Sequence, residues 1–231
     1  MITIDTVSKK YGKAEVLNVS SVEIPTGQSF GLVGNNGAGK TTLFNILLDL
    51  IRPTTGAITN NNIVVNQSED WKIFTGSFID ESFLIGYLTP EEYFDFIGDL
   101  RGMNNTEVSD FLAQFNEFFN EEIIAKKKYL RDLSKGNQKK VGIVASMMGD
   151  PKVIILDEPF ANLDPTTQIR LKIIIKKLTE NKEITVLISS HDLTHITEVC
   201  ERIVVLDKGN VVKDIQTSAE TLKELETYFS V

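Results

Sequence analysis

A glycine-rich segment that ends in lysine and threonine is the clearest chemical feature of this sequence. Residues 34–41 read GNNGAGKT and fit the pattern GxxxxGK[ST] at every fixed position. Such a segment can curl so that backbone N–H groups point at phosphate oxygens, while the lysine bridges the outer phosphates and the threonine hydroxyl approaches Mg²⁺. We expect a nucleotide phosphate site formed by Gly34, Asn35, Asn36, Gly37, Ala38, Gly39, Lys40, Thr41 and Thr42.

Two adjacent carboxylates follow an apolar run at residues 153–156. An unbroken apolar run predicts a strand buried on both faces, and Asp157 at its carboxyl end would lie in the crevice where open α/β sheets bind ligands. Asp157 is therefore expected to complete the Mg²⁺ site with Thr41, because an ion held only by phosphates and one hydroxyl lacks a protein carboxylate. Glu158 is expected to polarise the water that attacks a γ-phosphate.

Apolar patterns predict the elements that must hold these residues. The predicted N-terminal strands are at residues 2–7, 16–24, 29–33, 58 and 63–65. After residue 153, strands alternate with helices predicted at about 165–180 and 192–200. Such alternation is typical of parallel strands joined by right-handed crossovers.

The middle of the chain changes character after Phe78. Thr89 to Glu92 reads TPEE and predicts a helix start, with a hydroxyl cap, a proline in the first turn and acidic residues facing the helix dipole. Residues of about 80–148 are therefore expected to form a helical subdomain inserted in one α/β domain that spans residues 1–231.

Composition excludes several classes of protein. The 231 residues carry 32 acidic and 24 basic side chains, and the net charge of -8 argues against a protein that mainly grips nucleic acid. One cysteine and two histidines are too few for a disulfide or a zinc site. No apolar run approaches the roughly 20 residues of a membrane span, and the N-terminus lacks a signal-peptide pattern. A cytoplasmic location is expected.

The segment 133–140, LSKGNQKK, carries the resemblance to a known family. It resembles the LSGGQ signature of the ATP-binding subunits of ABC transporters, and the whole chain is similar to that family. Lys135 and Asn137 depart from the usual glycine and glutamine. Ser134 and Gly136 remain, and the resemblance implies that this hydroxyl and bare backbone, at the start of a helix, contact a γ-phosphate.

Further motifs follow in the order of that family. Residues 161–164, ANLD, resemble the D-loop, and His191 resembles the histidine that senses the γ-phosphate. Tyr11 resembles the aromatic residue that stacks on adenine. His195 is expected to face solvent or pack locally.

The glutamine of the family's Q-loop has no counterpart here. Asp80 is the best alignment with that position, and Glu81 is the second. Gln67 lies too early in the chain.

The resemblance implies a fold and a mechanism. The implied fold is the α/β P-loop NTPase fold of ABC ATPases, with an N-terminal antiparallel β subdomain, a RecA-like mixed sheet and an inserted helical subdomain. The implied cofactors are ATP and Mg²⁺, and the residues expected to carry hydrolysis are Lys40, Glu158 and His191. Each ATP would lie between the phosphate loop of one subunit and the signature of a second, identical or different, subunit.

The resemblance also implies partners. A separate transmembrane permease would hold the chain at the inner face of the membrane, and residues 80–101 together with the signature resemble subunits of export-type permeases. The aromatic and apolar residues expected beside the permease contact are Phe83, Leu84, Tyr87, Tyr93, Phe94 and Phe96; the alternative is that they form core. The other functions considered are a soluble ABC ATPase acting outside transport and a regulatory module that does not hydrolyse ATP.

Overall fold

Two long N-terminal strands pair as an antiparallel hairpin in the computed structural model, which describes residues 1–230. The strands of the chain are β1 (Ile2–Tyr11), β2 (Ala14–Ile24), β3 (Ser29–Val33), β4 (Thr55–Asn60), β5 (Ile63–Val64), β6 (Thr75–Phe78), β7 (Val153–Asp157), β8 (Thr185–Ser190), β9 (Arg202–Asp207) and β10 (Asn210–Gln216). The predicted N-terminal strands are therefore confirmed, and β1 extends further than predicted because it continues into the hairpin turn at Gly12.

All ten strands belong to one sheet in the order β5-β4-β1-β2-β10-β9-β3-β8-β7-β6. The first four strands are antiparallel, whereas β9, β3, β8, β7 and β6 are parallel. The two parts meet where β2 lies beside β10, with Asn18 opposite Asn210. The predicted α/β class with N-terminal antiparallel strands and a mixed core sheet is confirmed.

The helices lie after parallel strands β3, β7 and β8, in the long connection between β6 and β7, and after β10. They are α1 (Lys40–Leu47), α2 (Pro90–Leu100), α3 (Asn105–Ala113), α4 (Asn116–Phe119), α5 (Lys135–Ala145), α6 (Pro165–Glu180), α7 (Leu193–Val199) and α8 (Thr221–Phe229). Short 3-10 turns cover Asp70–Lys72, Glu81–Phe83 and Leu130–Asp132. The predicted helix start is confirmed, since Thr89 and Glu92 form a reciprocal capping box at α2.

Two apolar clusters bury the two faces of the sheet. One joins the helices between β6 and β7 to the parallel strands, and Phe94 packs there on Phe119 with a ring separation of 5.8 Å. The other joins α1 to the N-terminal strands, with Phe44 buried. Strands β7 and β8 are buried along their whole length because helices cover both faces.

Three elements lie outside the predicted set. β6 is only four residues of mixed polarity, and it is held by parallel pairing with β7. β10 and α8 follow Leu206, and β10 pairs with β9 as an antiparallel hairpin. Their existence depends on neighbouring strands more than on local apolar pattern.

Candidate functional site

The phosphate loop connects β3 to the first turn of α1. Gly37 and Gly39 adopt positive φ angles of 82° and 107°, which side chains with a Cβ atom rarely tolerate. Asn35, Asn36 and Gly37 are exposed, whereas Gly34 and Ala38 are buried. The loop therefore presents a strip of backbone to solvent at the amino-terminal end of a helix that also carries Thr41 and Thr42.

Lys40 is the first residue of α1 and its side chain is only 6% exposed. Its Nζ donates to the carbonyl oxygen of Gly34 at 2.7 Å and lies 3.4 Å from Oε1 of Glu158. The lysine charge is therefore held between the phosphate loop and the end of β7.

Asp157 lies at the carboxyl end of β7 and is only 5% exposed. It receives a hydrogen bond from Thr41 Oγ1 to its Oδ2 at 2.6 Å, and Ser189 Oγ, opposite it on β8, donates to its Oδ1. Burial raises the pKa of Asp157, and the two hydroxyl hydrogen bonds partly oppose that rise.

The oxygens of Thr41 and Asp157 fit Mg²⁺ by their chemistry. Mg²⁺ prefers hard oxygen ligands and commonly uses one or two carboxylates together with substrate phosphates. Within residues 1–230 no group of three or more His, Cys, Asp or Glu is placed to hold a metal ion, and an ion bound with ATP needs no such group. Hydroxyl and carboxylate are already within hydrogen-bond distance, next to the phosphate loop.

Glu158 connects the loop to the end of β8. Its carboxylate lies between two cationic or potentially cationic groups, with Lys40 near Oε1 and His191 Nδ1 2.9 Å from Oε2. Its backbone adopts a positive φ of 46°, and its N–H donates to the carbonyl and hydroxyl oxygens of Ser189 at 3.2 and 3.0 Å. The backbone of Glu158 is thus held in a sparsely populated conformation that neighbouring groups must maintain.

The two histidines differ in their surroundings. The His191 side chain is 55% exposed and touches Glu158. His195 is on α7, where its ring packs on Phe160 at 4.6 Å between centroids and its pKa is lowered by burial. The expectation that His195 packs locally agrees with this position.

Tyr11 ends β1 and is 56% exposed. The Nζ of Lys9 lies 4.9 Å from the centre of its ring. One face of the ring is therefore occupied by a cation within the same strand.

Ser134 and Gly136 begin α5 at a distance from the phosphate loop in the chain. Ser134 is the exposed N-cap, and its Oγ accepts from the N–H of Asn137 at 3.2 Å. Gly136 lies against the D-loop, since a Cβ atom there would be 2.9 Å from the carbonyl oxygen of Asn162. No hydrogen bond or ion pair in the described chain joins Ser134 or Gly136 to residues 34–42.

The two candidates for the Q-loop position differ in their surroundings. Asp80 is exposed, and its carboxylate accepts from the N–H of Ser82. Hydrogen bonding to the side chain of Ser82, and then to its backbone, lowers the pKa of Asp80. Glu81 instead is mostly buried and lies 3.6 Å from Nζ of Lys139 on α5. The carboxylate of Glu81 is therefore committed to an ion pair.

Sequence reasoning missed two residues of this cluster. Ser189 contacts both acidic residues and is set opposite Asp157 by strand register. Lys139 donates to the carbonyl oxygen of Glu158 at 2.9 Å. The signals available were the hydroxyl two residues before His191 and the lysine pair that follows the signature, neither of which specifies a contact by itself.

Comparisons with known proteins agree with this arrangement. A family profile described as ABC transporter matches residues 17–161. The ABC transporter ATP-binding protein YhaQ of Bacillus subtilis is 36% identical and covers 92% of this chain and 70% of its own length. The bacitracin transport ATP-binding protein BcrA of Enterococcus faecalis is 31% identical and covers 94% of this chain and 70% of its own length.

A solved structure shares the fold. The dimeric structure of MJ0796, a bacterial ABC transporter cassette, matches with a TM-score of 0.83 at 26% identity and covers 95% of this chain and 100% of that chain. A post-hydrolysis state of the same cassette, bound to ADP and Pi, gives a TM-score of 0.82. The chain therefore belongs to the ABC transporter ATP-binding proteins, has their P-loop NTPase fold, and is an ATPase subunit of that family.

Proposed function

We propose that this ABC transporter ATP-binding protein hydrolyses Mg-ATP to power export of a substrate through a separate transmembrane permease. The observation that supports hydrolysis best is the contact between Glu158 and both Lys40 and His191, at 3.4 and 2.9 Å. A carboxylate in this position can orient and deprotonate water beside a phosphate held by the lysine. A regulatory module without turnover would not need such a cluster.

The remaining residues are assigned by position. The backbone of residues 34–42 binds phosphate oxygens, and Lys40 neutralises their charge. Thr41 and Asp157 would hold Mg²⁺, which neutralises charge on the phosphate oxygens when bound. Tyr11 stacks on the adenine through the ring face opposite Lys9.

Asp80 is assigned to the Q-loop position. Its exposed carboxylate is available, whereas Glu81 is paired with Lys139. We assign the nucleotide contact to Asp80 for that reason.

A second subunit is proposed to complete each site. Ser134 is exposed at the start of α5, and within residues 1–230 it makes no hydrogen bond to its own phosphate loop, so its hydroxyl is available to an ATP held by a partner. The dimeric MJ0796 cassette supports this arrangement. The partner is a second copy of this chain or a related ATP-binding subunit.

A groove beside α2 is the proposed contact with the permease. Leu50, Ile73, Phe83 and Leu100 line it with exposures between 48 and 75%. Tyr93 and Leu84 also line it, but Phe94 is fully buried and belongs to the core. Within residues 1–230 no helix is long and apolar enough to cross a bilayer, and we propose that this groove holds the chain at the inner face of the membrane.

Substitution Glu158→Gln tests hydrolysis. The amide keeps the size of the side chain but cannot accept a proton from water, so we expect the turnover number to fall by on the order of 10²-fold or more while ATP affinity is retained. Steady-state ATPase assays and equilibrium ATP binding measure the two quantities. Near-normal turnover in this variant would remove Glu158 from its proposed role.

Membrane recruitment tests the permease contact. The double variant Phe83→Ser/Leu100→Ser should no longer co-purify with the permease from detergent-solubilised membranes. The control variant Ile169→Ser/Ile173→Ser, which changes similarly exposed apolar residues on α6, should still co-purify with it. Equal retention of both variants would place the permease elsewhere.

Direction of transport requires a sidedness experiment. In inside-out membrane vesicles, external ATP should drive uptake of an exported substrate into the lumen. Bacitracin is a reasonable first probe because the similar protein BcrA is named as a bacitracin transport ATP-binding protein. ATP-dependent loss of a preloaded substrate from the same vesicles would instead indicate import.

A further inference from the structure

Lys139 on α5 is a buried lysine that the proposed mechanism has not used. It is 5% exposed, and its Nζ donates to the backbone carbonyl oxygen of Glu158 at 2.9 Å. The same ammonium group lies 3.6 Å from Oε1 of Glu81, whose side chain is 11% exposed. A buried ammonium group needs partners of this kind, because burying an unpaired charge is costly.

The carbonyl that Lys139 contacts belongs to a strained residue. Glu158 has a φ of 46°, and non-glycine residues rarely keep this conformation unless their surroundings hold them in it. On one side Ser189 of β8 stabilises this backbone conformation by accepting a hydrogen bond from the N–H of Glu158. On the other side Lys139 stabilises it by donating to the carbonyl oxygen.

We propose that Lys139 is a positioning residue for Glu158, and that Glu81 holds Lys139 in place. The inference rests on the proposed role of Glu158 in hydrolysis. A displaced carbonyl would rotate the Glu158 backbone and move its carboxylate relative to Lys40 and His191. Displacement of about 1 Å at a reacting group can lower a rate by about 10²-fold.

The link joins three parts of the molecule. Glu81 lies in the 3-10 turn that follows β6, close to Phe83 of the groove proposed for the permease. Lys139 is on the same helix as the cap residue Ser134, five residues further along the chain. The ammonium group of Lys139 on α5 therefore connects the 3-10 turn that holds Glu81 with the backbone of Glu158 at the end of β7.

The first test replaces the ammonium group by an apolar side chain of similar length. Lys139→Met should lower kcat at least about tenfold, with KM for ATP changed less than about twofold, since the nucleotide contacts lie elsewhere. Lys139→Arg, which keeps charge and donors, should recover part of kcat.

A neighbouring residue supplies the matched control. Lys140 is also buried, at 3% exposure, and its Nζ lies 3.5 Å from Glu122 without a contact to Glu158. Lys140→Met removes an equivalent buried charge from the same helix. A loss of kcat equal to that of Lys139→Met would mean that both lysines act only through the stability of α5, and would overturn the inference.

A double variant separates positioning from stability. Lys139→Met leaves Glu81 buried without its partner, and adding Glu81→Gln removes that unpaired charge. We expect the double variant to regain thermal stability but to keep the low kcat, because the carbonyl of Glu158 still lacks its donor. Recovery of kcat together with stability would overturn the inference, and the double variant carries the test if Lys139→Met does not fold.

Glu158→Gln, measured in parallel, distinguishes the two levels of the proposal. If Glu158→Gln turns over normally, the proposed function itself fails. If Glu158→Gln is inactive while Lys139→Met keeps normal kcat, the role of Lys139 alone is wrong.

Discussion

Two polar regions of the molecule differ in burial. One lies at the carboxyl ends of β3, β7 and β8, and the other lies at the start of α5. At the carboxyl ends of these strands, Lys40 and Asp157 are buried and are held by contacts of 2.6 to 3.4 Å within the chain. At the start of α5, Ser134 is exposed, and the hydrogen bond that its side chain makes within residues 1–230 joins it to its own helix. The first region is assembled before any partner arrives, whereas the second presents its groups outward.

This difference in burial is consistent with the proposal that one subunit holds the ATP at its buried strand ends and the second subunit contacts it through the exposed start of α5. Groups that must act on the γ-phosphate with fixed geometry benefit from burial, because a preorganised site needs little reorganisation during reaction. Groups that act on a nucleotide held by another chain must stay accessible. Substitutions in the two regions should therefore separate ATP binding from ATP-dependent association.

The largest effect is expected from Lys40→Ala in the first of these regions. The variant loses the cation that holds the phosphates and leaves Glu158 without one of its partners, so hydrolysis should fall by about 10²-fold or more. ATP binding to the isolated chain should fall with it, which distinguishes this region from α5. Lys10→Ala, at an exposed lysine paired with Glu15, is the control. If Lys40→Ala retained its ATP affinity, the buried region around Lys40 and Asp157 would not be the phosphate site.

Ser134→Arg is expected to have a comparable effect on hydrolysis without affecting binding. A long cationic side chain at the exposed cap should block approach of the second subunit and lower hydrolysis by about 10²-fold, while ATP binding to the monomer is unchanged. ATP-dependent dimerisation is best measured by light scattering in a Glu158→Gln background. Ser134→Thr keeps the cap and should behave as the parent. Loss of monomer ATP binding in Ser134→Arg would place Ser134 in the site of its own chain.

Tyr11→Ala is expected to weaken nucleotide binding moderately. An aromatic platform under a base contributes roughly 1 to 2 kcal/mol, and the exposed position of Tyr11 makes a change of fold unexpected. Tyr11→Phe should bind ATP almost normally, and Tyr87→Ala, which changes another exposed tyrosine, should have no effect on affinity. If Phe binds as poorly as Ala, the hydroxyl rather than the ring is responsible.

The smallest effect is expected on stability at Asp157. Its pKa is raised by burial, so the folded chain holds this proton more tightly than the unfolded chain does. The stabilising contribution is full below the unfolded pKa of 3.8 and is lost as pH rises through the folded pKa.

At neutral pH the ionised carboxylate of Asp157 therefore costs stability, and Asp157→Asn should raise the melting temperature of the nucleotide-free chain. About 2–4 °C per kcal/mol is typical for this size of chain. The gain should shrink as pH falls through the raised pKa. A lower melting temperature at neutral pH would show that the hydrogen bonds from Thr41 and Ser189 outweigh the burial of charge.

Contiguous motifs explain why much of the site can be predicted from sequence. The segment 34–42 and the pair Asp157 and Glu158 depend on neighbours in the chain, because a strand, a turn and a helix start placed in succession determine the local backbone. Family membership follows from the same motifs together with the segment 133–140. The apolar pattern, in which strands alternate with helices after residue 153, also predicts the α/β class.

Tertiary structure decided the contacts that cross between elements. Ser189 meets Asp157 only because β7 and β8 pair in one register, and Lys139 meets Glu158 only because α5 packs beside the end of β7. The different surroundings of Asp80 and Glu81 likewise follow from the tertiary structure, because Glu81 pairs with Lys139 on α5. Apolar periodicity specifies which side of an element is buried, but it does not specify the partner or the register across a sheet, and those determine which polar groups come within hydrogen-bond distance.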